Sequence, residues 1–116
     1  MPNPVLHFEV LTGGNAEDLQ KFYADAFDWK VDANNPQKYG MVDNGGDGIN
    51  GGIGPNPQGQ SYATFYVQVD DLQKTLDKIE SLGGKTATQP MDLPGGLSIA
   101  MFNDPAGNLI GLFRGM

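Results

Sequence analysis

Residues 61–82 read SYATFYVQVDDLQKTLDKIESL, and this stretch decides the fold because a strand pattern passes directly into a helix pattern. Apolar and polar side chains alternate over 61–69, which is typical of a strand with one buried face. Asp70 or Asp71 can cap the helix that follows, and Gly83-Gly84 can end it. The apolar residues of that helix recur at helical spacing: Leu72, Leu76, Ile79 and Leu82.

The same order of elements occurs upstream. A β-rich run over residues 5–11 is followed by a glycine turn and by Asn15, a residue suited to cap a helix. The predicted apolar face of this first helix is Leu19, Phe22, Tyr23, Ala26 and Phe27. Both helices carry the letters Asp-Leu-Gln-Lys, at 18–21 and at 71–74. We interpret the pattern as an internal duplication within a single domain, with module one at about 1–56 and module two at about 57–116.

Each helix is followed by three short β-like segments. In module one they lie near 29–31, 38–43 and 48–53, and in module two near 85–88, 97–102 and 108–113. A stretch rich in Gly, Pro and Asn, 54–60, is the predicted linker. The order is therefore strand, helix and three strands, twice.

The strands present two different faces, because successive side chains point to opposite sides. Leu6, Phe8 and Val10 share an apolar face of the first strand, and Ala63, Phe65, Val67 and Val69 share one in the fifth. These faces are predicted to pack under the helices. The opposite faces are mixed, and they carry His7, Glu9, Thr64, Tyr66, Gln68, Leu109, Gly111 and Phe113. Such a face either lines a pocket or meets solvent, and periodicity leaves both open.

Composition excludes several function classes. The chain has 116 residues, a net charge of −7 and no cysteine. An acidic chain is repelled by nucleic acid and by an anionic membrane surface, so neither is an expected partner. Without cysteine there is neither a disulfide framework nor a thiolate site. The N-terminus has no signal-peptide pattern, so the expected location is cytoplasmic.

Several segments together resemble the vicinal-oxygen-chelate superfamily, which includes glyoxalases, bleomycin resistance proteins and extradiol dioxygenases. The segments are His7-Phe8-Glu9-Val10, Phe22-Tyr23, Phe27-Asp28-Trp29-Lys30, Val69-Asp70-Asp71-Leu72, Gly83-Gly84-Lys85 and the run from Asn103 to Ile110 around Asp104-Pro105-Ala106-Gly107. The resemblance implies an α+β fold in which two βαβββ modules form a curved, mostly antiparallel eight-stranded half-barrel with helices on the outer face. It also implies a homodimer.

Family members usually hold one divalent metal in the curved sheet, with two ligands from each module. Carried over, the first ligand position is His7, and its counterpart in module two is Thr64. The last-strand positions are Gly111 in module two and Gly51 or Gly52 in module one. Glycine has no side chain with which to coordinate a metal, so we expect no metal cofactor. Glu9 lies on the same face as His7, so a divalent metal held by both is the less favoured expectation.

Two functions are compatible with this pattern, as is a protein that binds no ligand because its own side chains fill the cup. The favoured interpretation is a metal-independent small-molecule binder whose cup is lined by His7, Glu9, Thr64, Tyr66, Gln68, Leu109, Gly111 and Phe113, with the glycines making extra room. The alternative is a lyase, isomerase or dioxygenase relative in which His7 and Glu9 are the catalytic acid–base pair or help to hold a metal. Tyr39 and Trp29 are further candidates for the cup, whereas Phe102 is expected in the core.

Overall fold

The computed structural model describes residues 2–115, and these contain two helices and eight strands. The elements are β1 (Val5–Thr12), α1 (Ala16–Phe27), β2 (Lys30–Asp32), β3 (Gly40–Asp43), β4 (Asn50–Pro55), β5 (Tyr62–Gln68), α2 (Leu72–Ser81), β6 (Lys85–Asp92), β7 (Ser98–Asn103) and β8 (Leu109–Arg114). The predicted order of strand, helix and three strands thus occurs twice. The chain divides into an N-terminal unit, residues 7–64, and a C-terminal unit, residues 65–115 with residues 2–6.

The strands of the N-terminal unit follow the order β2-β3-β4-β1. The β2–β3 and β3–β4 pairs are antiparallel, and the β4–β1 pair is parallel. The register of the parallel pair places His7 opposite Asn50 and Glu9 opposite Gly52. A parallel pair needs a long crossover, which α1, β2 and β3 provide between β1 and β4.

Helix α1 buries only part of the predicted face: Leu19 and Tyr23 are half-buried, but the other predicted residues are exposed. Phe22 is 61% exposed and Phe27 is 58% exposed, whereas Gln20 is only 7% exposed. The Gln20 amide donates hydrogen bonds to the backbone oxygens of Lys38, at 3.0 Å, and Ile53, at 2.7 Å. The prediction was wrong here because a polar side chain can be buried when it satisfies carbonyl groups that would otherwise lack a donor.

The aromatic residues of α1 pack around Trp29 instead. The Tyr23 ring stacks on Trp29 with a centroid distance of 5.8 Å and an interplanar angle of 7°. Phe27 and Phe8 lie 5.2 Å and 5.5 Å from Trp29. Phe8 therefore lies on the helix side of β1, as predicted, and Trp29 belongs to this aromatic cluster.

The strands of the C-terminal unit follow the order β5-β8-β7-β6, in which β5–β8 is parallel and the other two pairs are antiparallel. The core consists of Val69, Leu72, Leu76, Ala100 and Leu112, with Val67, Ile79 and Phe102 packed against it. The apolar face of α2 and the core position of Phe102 are thus confirmed. Leu82, at 69% exposed, is the exception on that face because α2 ends at Ser81.

The predicted faces of β5 hold only for its second half. Val67 and Val69 pack in or against the core, but Phe65 is 40% exposed. Thr64 and Tyr66, on the mixed face, are each only 8% exposed. The apolar face is uncovered at the start of the strand because the core under α2 is reached by Val67, near the end of β5, and by Val69, just after it. The hypothesis that the mixed face meets solvent is therefore wrong for Thr64 and Tyr66.

The ends of α2 follow from local chemistry. The Asp71 side chain accepts a hydrogen bond of 2.9 Å from the backbone N–H of Lys74, so Asp71 rather than Asp70 is the cap. At the other end Gly83 has a φ of +100°, a backbone conformation that glycine adopts without steric cost. The N–H of Gly84 then bonds the oxygen of Ile79 at 3.0 Å.

Replacing Asp71 with alanine is expected to lower the free energy of unfolding by roughly 1 kcal/mol, because the first turn of α2 loses its cap. The neighbouring Asp70 makes a matched control, since Asp70→Ala removes the same charge without the cap. Urea unfolding of the two variants measures the difference. Equal destabilisation by both would contradict the assignment of the cap.

The predicted turn before the last strand is also present. The N–H of Gly107 bonds the oxygen of Asp104 at 2.8 Å, the bond that closes a β-turn. The Asp104 carboxylate accepts hydrogen bonds from the side chain and backbone of Asn108 and from the N–H of Ala106, each at 2.9 Å. These bonds lower the pKa of Asp104. The turn is thus built by its own residues, in keeping with a purely structural role.

The α+β fold class is confirmed, with eight mostly antiparallel strands and two helices arranged as two βαβββ units. The predicted linker begins later than expected, because β4 continues to Pro55. Within residues 2–115 no helix has the length and apolar character needed to cross a membrane, and the longer of the two has 12 residues.

Candidate functional site

The two candidate catalytic residues of β1 are joined by a third side chain. The Tyr39 hydroxyl lies 3.0 Å from Nε2 of His7 and 3.0 Å from Oε2 of Glu9. It donates its proton to Glu9, since a carboxylate can only accept. A phenol has one proton, so Nε2 of His7 must be the donor in the other hydrogen bond. We call this arrangement the His7–Tyr39–Glu9 cluster.

Two glycines of β4 make room for the Tyr39 ring. A Cβ atom on Gly52 would lie 1.8 Å from the Tyr39 hydroxyl oxygen, and one on Gly54 would lie 2.7 Å from Cδ1 of the same ring. Gly51 belongs to the opposite face, where a Cβ atom would lie 2.5 Å from Cδ2 of Phe8. Gly52 is therefore the last-strand position on the His7 and Glu9 face. The prediction that this glycine leaves extra room is wrong, because Tyr39 occupies the space.

The backbone of Tyr39 is held from two directions. The Asn35 amide donates to the Tyr39 oxygen at 2.6 Å, and the Tyr39 N–H donates to the Asn35 side-chain oxygen at 2.9 Å. The preceding residue, Lys38, has a φ of +56°, and its carbonyl oxygen accepts from buried Gln20. These contacts fix the direction in which the Tyr39 side chain leaves the backbone.

Burial changes the acid–base properties around the cluster. It lowers the pKa of His7, because removal from water disfavours the imidazolium ion. It raises the pKa of Tyr62, and the negative charge of Glu9 raises that pKa further. Burial thus favours the neutral form of His7, the form that can donate from Nε2 to Tyr39.

The lowered pKa of His7 predicts a loss of stability on acidification. As the pH falls below the ordinary value of 6.5, the unfolded chain binds a proton that the folded chain resists. The stability is fully present above that value and declines by at most about 1.4 kcal/mol per pH unit for one proton. Urea unfolding between about pH 7.5 and about pH 5 should show a steeper loss for the wild type than for His7→Gln. Parallel pH profiles would contradict the expectation.

The C-terminal unit contains a similar pairing of tyrosine and glycine. Tyr66 is opposite Gly111 in the β5–β8 register, and a Cβ atom on Gly111 would lie 2.4 Å from the Tyr66 ring. Gln68 is opposite Phe113, which is 3% exposed, and Leu109 is half-buried. The predicted space at Gly111 is therefore also filled, by an aromatic ring of the neighbouring strand.

The predicted site residues thus fall into two groups, one in each unit. His7, Glu9 and Thr64 belong to the N-terminal unit, where the cluster joins the first two through Tyr39. The C-terminal group is Tyr66, Gln68, Leu109, Gly111 and Phe113. The N-terminal unit also has an open groove of about 280 Å³, lined by Val10, Leu11, Thr12, Leu19, Ser61, Tyr62 and Ala63.

The role of Tyr39 was missed in the sequence, where this residue was one of several aromatic candidates. The available signal is the pair of glycines at 52 and 54, which leaves one face of β4 bare over two successive positions. Such a bare face indicates that a large side chain from elsewhere lies across the strand. Gln20 and Asn35 were also missed, because their hydrogen bonds go to backbone atoms that no sequence pattern identifies.

Two βαβββ units, each with one parallel pair at the end of its strand order and a mixed face on its first strand, define the class of paired βαβββ proteins. The chain belongs to the Glyoxalase/Bleomycin resistance protein/Dioxygenase superfamily, whose family model matches residues 5–112. The resemblance found in the sequence is therefore confirmed.

Curated relatives and solved structures agree with this assignment. A Mycobacterium bovis protein named as a glyoxylase, CFP32, is 28% identical over 105 residues, which are 82% of this chain and 40% of that protein. A Vibrio cholerae protein named as a lactoylglutathione lyase is 33% identical over 66 residues, 56% of this chain and 48% of that protein. The chain thus spans less than half of either relative. The structure of methylmalonyl-CoA epimerase from Mycobacterium tuberculosis has a TM-score of 0.68 at 14% identity, covering 97% of this chain and 87% of that one, and shows the same fold.

The residues present do not fit the metal that the superfamily implies. Among residues 2–115 no three side chains of His, Cys, Asp or Glu lie together in a way that could hold a metal ion. With the Tyr39 proton donated to Glu9, Nε2 of His7 is the donor to the phenol, and a nitrogen that donates in this way has no lone pair for a metal. The space above Gly52 is filled by the Tyr39 hydroxyl.

Proposed function

We propose that this protein binds a small molecule without a metal ion, and that the His7–Tyr39–Glu9 cluster forms part of the binding face. The observation that carries the proposal is the Tyr39 hydroxyl, which lies 3.0 Å from both His7 and Glu9 and above Gly52. The cluster uses His7 and Glu9 as hydrogen-bonding groups, whereas a metal site would need both residues as ligands. Such a face recognises ligands through directed hydrogen bonds, as small-molecule sites generally do.

The charge of the site selects the class of ligand. Glu9 is half-buried, and its negative charge is felt at Tyr62. The whole chain carries a net charge of −7, so an anionic ligand meets repulsion both at long range and in the site. The proposed ligand is therefore a neutral or cationic molecule with a group that can donate a hydrogen bond to Glu9.

A thermal-shift screen of neutral, cationic and anionic compounds in the presence of EDTA tests the proposal. We expect neutral or cationic compounds to raise the melting temperature. Their affinity should fall by at least about tenfold in Glu9→Gln, since a hydrogen bond to a charged group contributes about 1.5–3 kcal/mol. Glu17→Gln, at an exposed position of α1, is the matched control. Binding that requires an added metal, or that is the same in both variants, would contradict the proposal.

The second candidate function is acid–base catalysis by the same cluster. It is favoured by one observation: an imidazole, a phenol and a carboxylate lie in one hydrogen-bonded series, which can pass a proton along it. Relatives named as a lyase and an epimerase make those two reactions the first to assay. Metal-free turnover that falls at least about a hundredfold in His7→Gln and in Glu9→Gln would establish the enzyme. The absence of turnover in both assays would contradict catalysis and leave metal-independent binding as the proposed function.

The proposal includes a homodimer and a cytoplasmic location. Support for the dimer comes from large apolar side chains that are exposed in the isolated chain, among them Phe22 at 61% and Phe27 at 58%. Burial of such side chains stabilises association. Sedimentation equilibrium measures the association of the wild type and of Phe22→Ser, which we expect to associate more weakly. A monomeric wild type would contradict the proposed dimer.

A further inference from the structure

We infer that Tyr39 is the residue that excludes a metal ion from the N-terminal unit, because its phenol takes the place of a side chain at position 52. This inference rests on the proposed metal-independent function and identifies the residue responsible for it. Tyr39 acts in two ways, through the volume it fills and through the proton it fixes on His7.

The volume argument follows from the register of β1 and β4. Glu9 is opposite Gly52, and both belong to the face that carries His7. A carboxylate side chain at 52 would therefore point to the same side as His7 and Glu9, and three such donors suffice for a protein metal site. Tyr39 prevents this arrangement, because its hydroxyl oxygen would lie 1.8 Å from a Cβ atom at 52.

The proton argument follows from the hydrogen bonds. Glu9 accepts the single proton of Tyr39, and Tyr39 in turn accepts from Nε2 of His7. Both potential ligands are thereby engaged with the phenol. Asn35 holds the Tyr39 backbone through two hydrogen bonds, so the phenol is well placed to keep them engaged.

The inference is tested by titrating four tag-free proteins with Zn²⁺, Ni²⁺ and Mn²⁺ by calorimetry: the wild type, Gly52→Glu, Tyr39→Ala and Tyr39→Ala/Gly52→Glu. We expect the double variant to bind one ion at least about tenfold more tightly than any other protein of the set, because only it presents His7, Glu9 and a new carboxylate without the phenol. Tyr39→Phe/Gly52→Glu is the matched control, since its ring still competes with the new side chain for the same space, and it should bind no better than the wild type. Circular dichroism establishes that each protein is folded.

Two results would overturn the inference. One is a folded double variant that binds no more tightly than the wild type, and the other is Gly52→Glu binding as tightly as the double variant. Should the double variant not fold, Tyr39→Ala/Gly52→Asp, which carries a shorter carboxylate, takes its place: binding at least about tenfold tighter than the wild type supports the inference, and binding no tighter than the wild type overturns it. Tight binding by the wild type that is lost in His7→Ala would instead refute the proposed metal independence, so the two failures are distinguishable.

Discussion

Gly52→Ala is expected to lower the free energy of unfolding by roughly 2–4 kcal/mol. The new methyl group would lie 1.8 Å from the Tyr39 hydroxyl oxygen and 1.9 Å from Cζ, so the ring must leave its place. Overpacking of this kind typically costs about 1–3 kcal/mol, and each hydrogen bond that Tyr39 loses to His7 or Glu9 adds about 1 kcal/mol. Urea unfolding at neutral pH measures the change.

Two further variants show whether this loss arises from the contact with Tyr39. Gly46→Ala is the matched control, since the nearest atom to its added methyl group lies 3.9 Å away in the loop between β3 and β4, and it should change stability by less than about 0.5 kcal/mol. Tyr39→Ala/Gly52→Ala removes the obstructing ring, so the two substitutions should be less costly together than the sum of their separate effects. A Gly52→Ala protein as stable as Gly46→Ala would show that the ring lies elsewhere.

Gln20→Leu is expected to cost roughly 2–4 kcal/mol, although it replaces a polar residue in the interior with an apolar one. The substitution removes hydrogen bonds of 3.0 Å and 2.7 Å to the oxygens of Lys38 and Ile53, the second of which is buried. A buried acceptor left without a donor costs about 1–3 kcal/mol. Because Lys38 precedes Tyr39, the substitution should also loosen the cluster and move the pKa of His7 back toward 6.5.

The control for this variant is Gln73→Leu in α2, where the glutamine is exposed and its amide donates a hydrogen bond of 3.0 Å to the Asp77 side chain. It should cost less than about 0.5 kcal/mol. The two variants change the same atoms, so the difference between them reports the hydrogen bonds lost at the two carbonyls, less the gain from burying an apolar side chain at 20. If Gln20→Leu stabilised the protein, hydrophobic burial would outweigh the hydrogen bonds, and the assigned role of Gln20 would be wrong.

Features that depend on neighbouring residues could be predicted from the sequence. Asn15 and Asp71 cap their helices because a short polar side chain can reach an N–H three residues ahead. The turn at Asp104–Gly107 likewise needs only its own residues. The duplication then determined the order of the elements, since the same local signals occur twice.

Features that depend on distant contacts could not be predicted in the same way. The apolar spacing of α1 favoured Phe22 and Phe27 as buried residues, but the helix buries Gln20, whose partners lie 18 and 33 residues away in the sequence. The glycine at 52 was interpreted as extra room, yet Tyr39 fills that room from another part of the chain. A missing side chain shows that space exists and does not show what occupies it.

The ring nitrogens of His7 provide the most direct test of a metal-independent site built on the cluster. His7 is the only histidine of the chain, so a ¹⁵N NMR spectrum of histidine-labelled, tag-free protein contains its signals alone. At neutral pH we predict the neutral tautomer with the proton on Nε2, unchanged when Zn²⁺ is added. A proton on Nδ1 instead, or a shift of the Nε2 signal on addition of one equivalent of Zn²⁺, would contradict the account.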